Sequence, residues 1–395
     1  MTTQALHAVS APESVDASGV GPLQPQDLPD LVQLFDVSFF RGPGRRLPQL
    51  EACLHDLFIP VSARPDGGLR SFVYRDERGR LGGFLGTHPR RFVFEGQPIL
   101  AACCGQLMVR PDLRGQGIAS RLCAAFYAGP QQFSFHGTAA RTREIHRRMG
   151  AFNPPFYGLS WTYRFGSLAP AFRRFVKPLG DRLWPGRNPP AECALDPPAV
   201  AVAALRDAEA RVSIPRSQVN GNLGDVASIH RRAFEDARFY PAFTEPEFYG
   251  RLALALGVGS GSDNNVARFA IGRADVMTHA RVVYERGEPI GFFLWRLQGD
   301  GTGLVLDLLC VPGTHGQVLR VLLTDARRCG ASTIGGYCAD CAEACAVQAV
   351  GASLRYRPST YMVHSPCSEI TAVFLDAPPR LSTFDGEGWL DFPRC

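Results

Sequence analysis

No stretch of this 395-residue chain strings together the roughly 18 apolar residues that a membrane-crossing helix needs, so a membrane partner is not expected. Residues 1–19 carry Glu13 and Asp16 and no apolar core. They do not read as a signal peptide, and the expectation is a disordered leader on a cytoplasmic protein. A strong charge of one sign is also missing: 42 basic against 37 acidic residues leave a net charge of +5. No basic block with interleaved aromatics occurs, which removes a nucleic-acid partner. The mild positive balance suits a small anionic ligand instead. What the chain does have is 45% hydrophobic and 20% charged residues, the composition of a globular protein, and a length that fits two domains of ordinary size.

Cysteine is not scarce. Most of the 12 cysteines fall inside apolar stretches, among them Cys103, Cys104, Cys123 and Cys310, and read as reduced, buried thiols. Cys338, Cys341 and Cys345 have a spacing that would place them on one helical face, within reach of a metal if a fourth ligand joined. The Ala- and Val-rich surroundings favour core packing, so no metal is expected.

Hydrophobic periodicity gives the organisation. Helices are expected over Asp27–Phe35 and Leu47–Leu57, then strands over Leu69–Arg75 and Leu81–Gly86, with Arg91–Phe94 continuing the second or forming another. Ile99–Val109 is apolar at nearly every position, a strand covered on both faces. A helix carrying Ile118, Leu122, Cys123, Phe126 and Tyr127 on one side follows. Then come a short strand Gln132–Phe135, a helix Arg141–Met149 ended by Gly150, and a strand Phe156–Phe165. The fold class is mixed α/β (α+β), with a mostly antiparallel central sheet flanked by helices. Residues 20–165 form the first domain. Residues 166–208, rich in proline, form a linker, and 209–395 form a second domain.

That second domain reads as a worn copy of the first. A slide of 201 residues lays Leu107–Pro111 on Leu308–Pro312, and Arg114-Gly115-Gln116-Gly117 on His315-Gly316-Gln317-Val318. On that alignment Val318 stands in place of Gly117 and should narrow the loop.

The chemistry sits in Val109-Arg110-Pro111-Asp112-Leu113-Arg114-Gly115-Gln116-Gly117-Ile118-Ala119. A covered strand stops at a proline, a short loop holds two glycines, and an amphipathic helix starts at once. Glycines let backbone approach a bulky anion, and the first-turn amides of the helix point at it. Arg114 adds fork-shaped donors suited to phosphate oxygens. A Walker loop would need Lys and then Ser or Thr where Ile118-Ala119 stand. A dinucleotide fingerprint would need a third glycine where Ser120 stands, and an acid about 20 residues on. No Asp or Glu occurs between Asp112 and Glu144.

The segment resembles the acyl-CoA signature of the GNAT superfamily of N-acyltransferases, in which a strand and proline precede Arg/Gln-x-x-Gly-x-Gly/Ala. The resemblance implies tandem GNAT-like domains, the second degenerate, and acetyl-CoA as co-substrate. It implies that main-chain groups near Leu107, Met108 and Val109 meet the pantetheine arm. It further implies that amides of Arg114, Gly115, Gln116, Gly117, Ile118 and Ala119 hold the pyrophosphate, with Thr138 and Arg141 near the thioester. His146 stands where the family often has a tyrosine acid, amid Arg143, Arg147 and Arg148, whose charges would favour a neutral imidazole. Gln106 stands where a carboxylate base is common, and His136 is a second candidate. The expected activity is transfer of an acetyl group to an amine of a small molecule or sugar, by a monomer or homodimer. A protein-amine acetyltransferase and a non-catalytic acyl-CoA-binding or scaffold protein are the alternatives.

Overall fold

The apolar runs become strands of two separate sheets in the computed structural model, which describes residues 19–40, 50–62, 68–137, 140–165, 223–256, 276–356, 361–376 and 379–386. In chain order the first elements are β1 (Val20–Pro22), α1 (Leu28–Phe35), α2 (Leu50–Ser62), β2 (Phe72–Arg75), β3 (Leu81–Phe94) and β4 (Gln97–Val109). Then come α3 (Ile118–Tyr127), β5 (Phe133–Gly137), α4 (Ala140–Arg148) and β6 (Leu159–Arg164), followed by α5 (Leu223–Ala233), β7 (Phe239–Pro241) and α6 (Glu245–Leu256). The remainder is β8 (Met277–Glu285), β9 (Glu288–Leu297), β10 (Thr302–Cys310), α7 (His315–Arg328), β11 (Thr333–Tyr337), α8 (Cys341–Ala349), β12 (Ser353–Tyr356), β13 (Tyr361–His364) and α9 (Ser368–Asp376). Arg91–Phe94 is the continuation of β3. No helix among the described residues is long and apolar enough to cross a membrane.

Two compact units emerge, one built from 1–154, 236–274 and 359–395, the other from 155–235 and 275–358. In the first the strand order is β1-β2-β3-β4-β5-β13, with β7 beside the far half of β3. In the second it is β12-β6-β11-β10-β9-β8. Within each sheet one pair is parallel, β4 with β5 and β10 with β11, and the rest are antiparallel. The expected class is therefore observed.

The segment Phe156–Phe165, expected to close the first domain, instead supplies β6 to the second sheet, where Tyr163 lies opposite Ile334. The outer edge of β5 is paired by β13, with Met362 opposite His136. The expected limits 20–165 and 209–395 thus do not coincide with the compact units. An unpaired edge of a buried strand is costly, so each edge takes a partner, here one from far along the chain. The sequence pattern does not say which partner that is.

Alternation along the strands splits the first core into two layers. On one face α1 and α2 bury Leu31, Phe35, Leu54 and Phe58 against Val73, Phe84 and Met108. On the other, α3 sets Ile118, Leu122 and Phe126 against Leu85, Ala102 and Cys104. Each fully buried large side chain of this kind contributes about 1.5–3 kcal/mol. The second unit gathers Trp161, Phe293, Trp295, Val318, Leu322 and Ile334 in one core.

Candidate functional site

Strand β4 ends at Val109, a 3-10 turn covers Pro111–Leu113, and α3 begins at Ile118. Two glycines in β3 let this corner dock. A Cβ on Gly82 would lie 2.5 Å from Leu113 Cδ1, and one on Gly83 would lie 3.0 Å from Ile118 Cγ2. Between turn and helix, Gly115 and Gly117 have φ of 86° and 75°, the left-handed region that other residues enter at a cost. A Cβ at either position would meet nothing within 4 Å. The loop is therefore open on that side, not sealed by side chains.

Its amides are also unspent. The first backbone donation into the helix comes from Arg121 to the Gly117 carbonyl at 3.1 Å, and among the described residues the amides of 115–120 have no backbone acceptor. Such a run of free N–H groups at a helix N-terminus attracts anions. Arg114 is exposed and leans on the Val109 carbonyl at 3.3 Å, while Arg121 reaches the Gln116 carbonyl at 3.3 Å. Arg110 is occupied differently, bridging Asp112 at 2.7 Å and Asp76 at 3.2 Å.

Beside the loop the sheet opens. The parallel pairing of β4 with β5 covers only Ala101–Cys103 against Phe133–Phe135. Beyond it β5 keeps company with β13, while β4 runs on to Val109 with no described strand on that edge. A β-bulge marks the place. Phe84 pairs with Met108 and Gly86 with Gly105, so Gln106 and Leu107 face a single residue, and Gln106 takes φ of 53°. The edge from Leu107 to Val109 leads directly to the glycine loop.

The bulge aims the Gln106 side chain at His88 on β3, whose Nε2 lies 3.0 Å from Gln106 Oε1. Amide oxygen accepts, so the imidazole donates from Nε2. Phe58 packs 5.2 Å from the His88 ring, and any Cβ on Gly86 would strike Phe58 Cε1 at 2.6 Å. Burial, with Arg90 nearby, pushes the His88 pKa down to about 3, so the ring is neutral.

Under α3, on the other face of the sheet, a second polar group converges. Tyr127, the last residue of α3, brings its hydroxyl within 2.9 Å of His146 Nδ1 and 3.2 Å of His136 Nε2. The two imidazole centroids are 4.0 Å apart, and His364 of β13 packs 4.6 Å from the Tyr127 ring. His146 is 3% exposed, His136 is 0% and Cys104 is 3%. The expected surroundings of His146 are corrected here. Arg147 and Arg148 turn away to Glu144 at 2.8 and 3.0 Å, and it is burial that lowers His146 to about 4. Burial, then the neighbouring His146 and His364, holds His136 well below its usual range. Burial raises Tyr127 far above its own.

A hydroxyl donates one proton, so only one direction of donation fits both contacts. His136 Nδ1 is buried without a partner. An orphan acceptor is tolerated better than an orphan N–H. His136 therefore carries its proton on Nε2 and donates to Tyr127, Tyr127 donates to His146 Nδ1, and His146 carries N–H on Nε2.

Comparison with solved structures now has a geometry to meet. A GCN5-related N-acetyltransferase from Kribbella flavida superposes with a TM-score of 0.50 at 14% identity, over 88% of this chain and 71% of that one. A conserved protein of unknown function from Enterococcus faecalis V583, described as a probable N-acyltransferase, gives 0.51 at 12% identity over the same shares, 88% and 71%. No protein-family model matches the chain, and no curated protein is similar to it by sequence.

The chain has the GCN5-related N-acetyltransferase fold.

Within this GNAT fold the sequence-derived candidates separate. Leu107, Met108 and Val109 lie along the open β4 edge, with Arg114 to Ala119 at its end. Gln106 occupies the bulge. Arg141 falls in α4, and Thr138 lies outside the described residues. Gln106 and His146 belong to different layers, one with His88 and Phe58, the other with Tyr127. Tyr127 and His88 are what sequence reading missed. Tyr127 sits on an apolar helical stripe and His88 in an unremarked strand, and neither has a local signature.

The second GNAT-like unit corrects the repeat alignment. There β10 matches β4 with Val311 taking the place of Arg110, since each donates to the residue before a β-sheet glycine, Ile290 and Gly82. The helices match one residue differently: Val318 packs on Gly291 as Ile118 packs on Gly83, the would-be Cβ on Gly291 lying 2.3 Å from Val318 Cγ2. The residue opposite Gly117 is thus Gln317. Val318 does not block a loop; it is a fully buried core residue. What differs is that the loop is one residue shorter and α7 starts at His315, so Gln317 and Val318 donate to the Thr314 carbonyl at 3.0 and 3.1 Å. Those amides are already used.

The cysteine cluster is corrected as well. α8 begins at Cys341 behind the Asp340 cap, so Cys338 lies outside the helix. Cys338 is buried while Cys341 and Cys345 are exposed, so the three neither share a face nor all pack in the core.

Proposed function

We propose that the first unit transfers an acyl group, acetyl as the leading case, from a coenzyme A thioester to an amine of a small molecule or sugar. The observation that carries this reading is the juxtaposition of the open two-glycine loop, with free amides from Gly115 to Ser120, and the unpaired β4 edge. Amides of Gly115, Gln116, Gly117, Ile118 and Ala119 hold the diphosphate, with the Arg114 guanidinium beside it and the Arg114 amide turned back to the Pro111 carbonyl. Leu107, Met108 and Val109 offer main-chain partners to the amide-bearing arm.

In the reaction the amine nitrogen attacks the thioester carbonyl carbon, the C–S bond breaks, and the ammonium gives up a proton. An ordinary thiol has a pKa near ~8.5, so its thiolate leaves with a hydrogen bond and needs no strong acid. His146, neutral by burial, supplies such a bond from Nε2–H, and Tyr127 fixes that tautomer from behind. This makes His146 a hydrogen-bond donor and not an imidazolium acid. On the other layer, Gln106 held by His88 orients the amine or a water. Gln106 is an amide and cannot take the proton, so the amine arrives neutral or loses its proton to water.

The second unit, in which the Gln317 and Val318 amides already donate to the Thr314 carbonyl, does not hold the coenzyme. Incubation with acetyl-CoA and a panel of amino sugars, polyamines, amino acids and peptides, read by release of free thiol, tests the assignment. Thiol release with one class names the acceptor. Failure to bind coenzyme A in calorimetry refutes the whole reading, and binding without turnover across the panel reduces the protein to an acyl-CoA-binding scaffold.

A further inference from the structure

Cys104, His136 and His146 come from three elements: β4 just past its last pair with β5, the end of β5, and α4. Each is at most 3% exposed. One sulfur and two ring nitrogens from this trio can be chosen that all lie within 4.8 Å of one another. Tyr127 places a hydroxyl oxygen 3.2 and 2.9 Å from the two histidines. Tetrahedral zinc, with Zn–N of about 2.0 Å and Zn–S of about 2.3 Å, sets its ligands roughly 3.3–3.8 Å apart. The trio, within 4.8 Å, closes on an ion by a shift of about an ångström.

We propose that Cys104, His136 and His146 bind a thiophilic divalent cation of the zinc type, with the Tyr127 oxygen or a water as fourth ligand. Mixed sulfur and imidazole donors select such ions over calcium or magnesium, which require oxygen. Nε2 of His136 and Nδ1 of His146, the nitrogens that face the Tyr127 hydroxyl, are the ligating atoms, and the ring proton of His136 moves to its partnerless Nδ1. Each binding event replaces the Cys104 S–H with S–M and releases one proton to solvent. Only the functional consequence rests on the proposed acyl transfer: the cation takes His146 and Tyr127 out of the hydrogen-bonded arrangement and inhibits turnover.

A comparable trio in the second unit, His279, Asp325 and Cys329, is a weaker cation site. Asp325 already accepts from Trp295 Nε1 at 2.9 Å and faces the Arg281 guanidinium at 3.4 Å. That positive charge opposes a second one. It serves as the internal control.

The test is cobalt(II) titration of the full-length protein in which the exposed Cys341 and Cys345 are changed to serine. One equivalent should produce a near-ultraviolet sulfur-to-cobalt charge-transfer band and intense tetrahedral visible bands, both abolished by added zinc. Cys104→Ser should remove the charge-transfer band, His136→Gln should weaken binding at least tenfold, and Cys329→Ser should change neither. Should Cys104→Ser not fold, Cys104→Ala and His136→Gln decide by the same bands. No charge-transfer band in the parent protein, or one that survives loss of Cys104, overturns the site. These readouts need no acyl transfer, so failure of the site and failure of the enzymatic reading are distinguishable.

Discussion

Substitution of Gly117 by alanine separates backbone strain from ligand contact. At φ of 75° the new residue stays in the left-handed region, which costs about 1–2 kcal/mol for an L-residue with a Cβ. Nothing in the protein lies within 4 Å of that Cβ, so no packing clash adds to it. What the methyl does meet is whatever the loop amides hold. Displacing the diphosphate from one charge-assisted donor forfeits about 1.5–3 kcal/mol, which is roughly a 10- to 150-fold rise in Kd. Gly96 in the β3–β4 hairpin is the matched control. Its φ is 76°, and its would-be Cβ likewise meets nothing within 4 Å. Gly96→Ala should show the same loss in urea denaturation with unchanged affinity, and Gly117→Ala the same loss with coenzyme A binding weakened at least tenfold in calorimetry. Equal affinities for the two variants would refute the phosphate-cradle argument, because strain would then be the only consequence of the substitution.

Three further outcomes are expected. His88 has its pKa lowered to about 3 from the usual 6.5, so its contribution to stability is full above pH 6.5 and declines as the pH falls toward 3. At pH 5 the loss is about 2 kcal/mol, and His88→Gln should flatten that part of the stability profile in urea melts. Val318→Gly, which on sequence alignment alone restores the missing glycine, should destabilise the protein by about 3 kcal/mol, because it empties a fully buried helical position. It should confer no second coenzyme A site, which equilibrium dialysis will count. Tyr127→Phe strips the hydroxyl from two buried imidazoles and should cost about 1–3 kcal/mol. Together with His146→Ala it should lower turnover more than acyl-CoA affinity, and unchanged rates in both variants would clear this cluster of any role at the thiolate.

The glycine loop was legible because its physics is local. A covered strand, a proline, two glycines and an amphipathic helix follow one another without interruption over residues 99–127, and a continuous apolar run gives way to a period of about 3.6 across them. The mixed class with a mostly antiparallel sheet was legible for the same reason, since short apolar runs bounded by turn residues mark each strand by itself.

Tertiary structure decided what depends on partners far apart in the chain. β6 follows α4 directly in the chain yet lies between β12 and β11 of the second sheet, while β13 closes the first, and only the assembled sheets assign Trp161 to one core and Val363 to the edge of the other. A single residue fewer before α7 moves Val318 from a loop position into the core, and no ungapped comparison of sequences can show that. Tyr127, His136 and His146 meet because a helix end, a strand end and a second helix cross at one point, where burial lowers both imidazole pKa values and raises that of the phenol. A sequence specifies residue types and their periods. The separation of groups in space, and the desolvation that sets their protonation, belong to the folded chain alone.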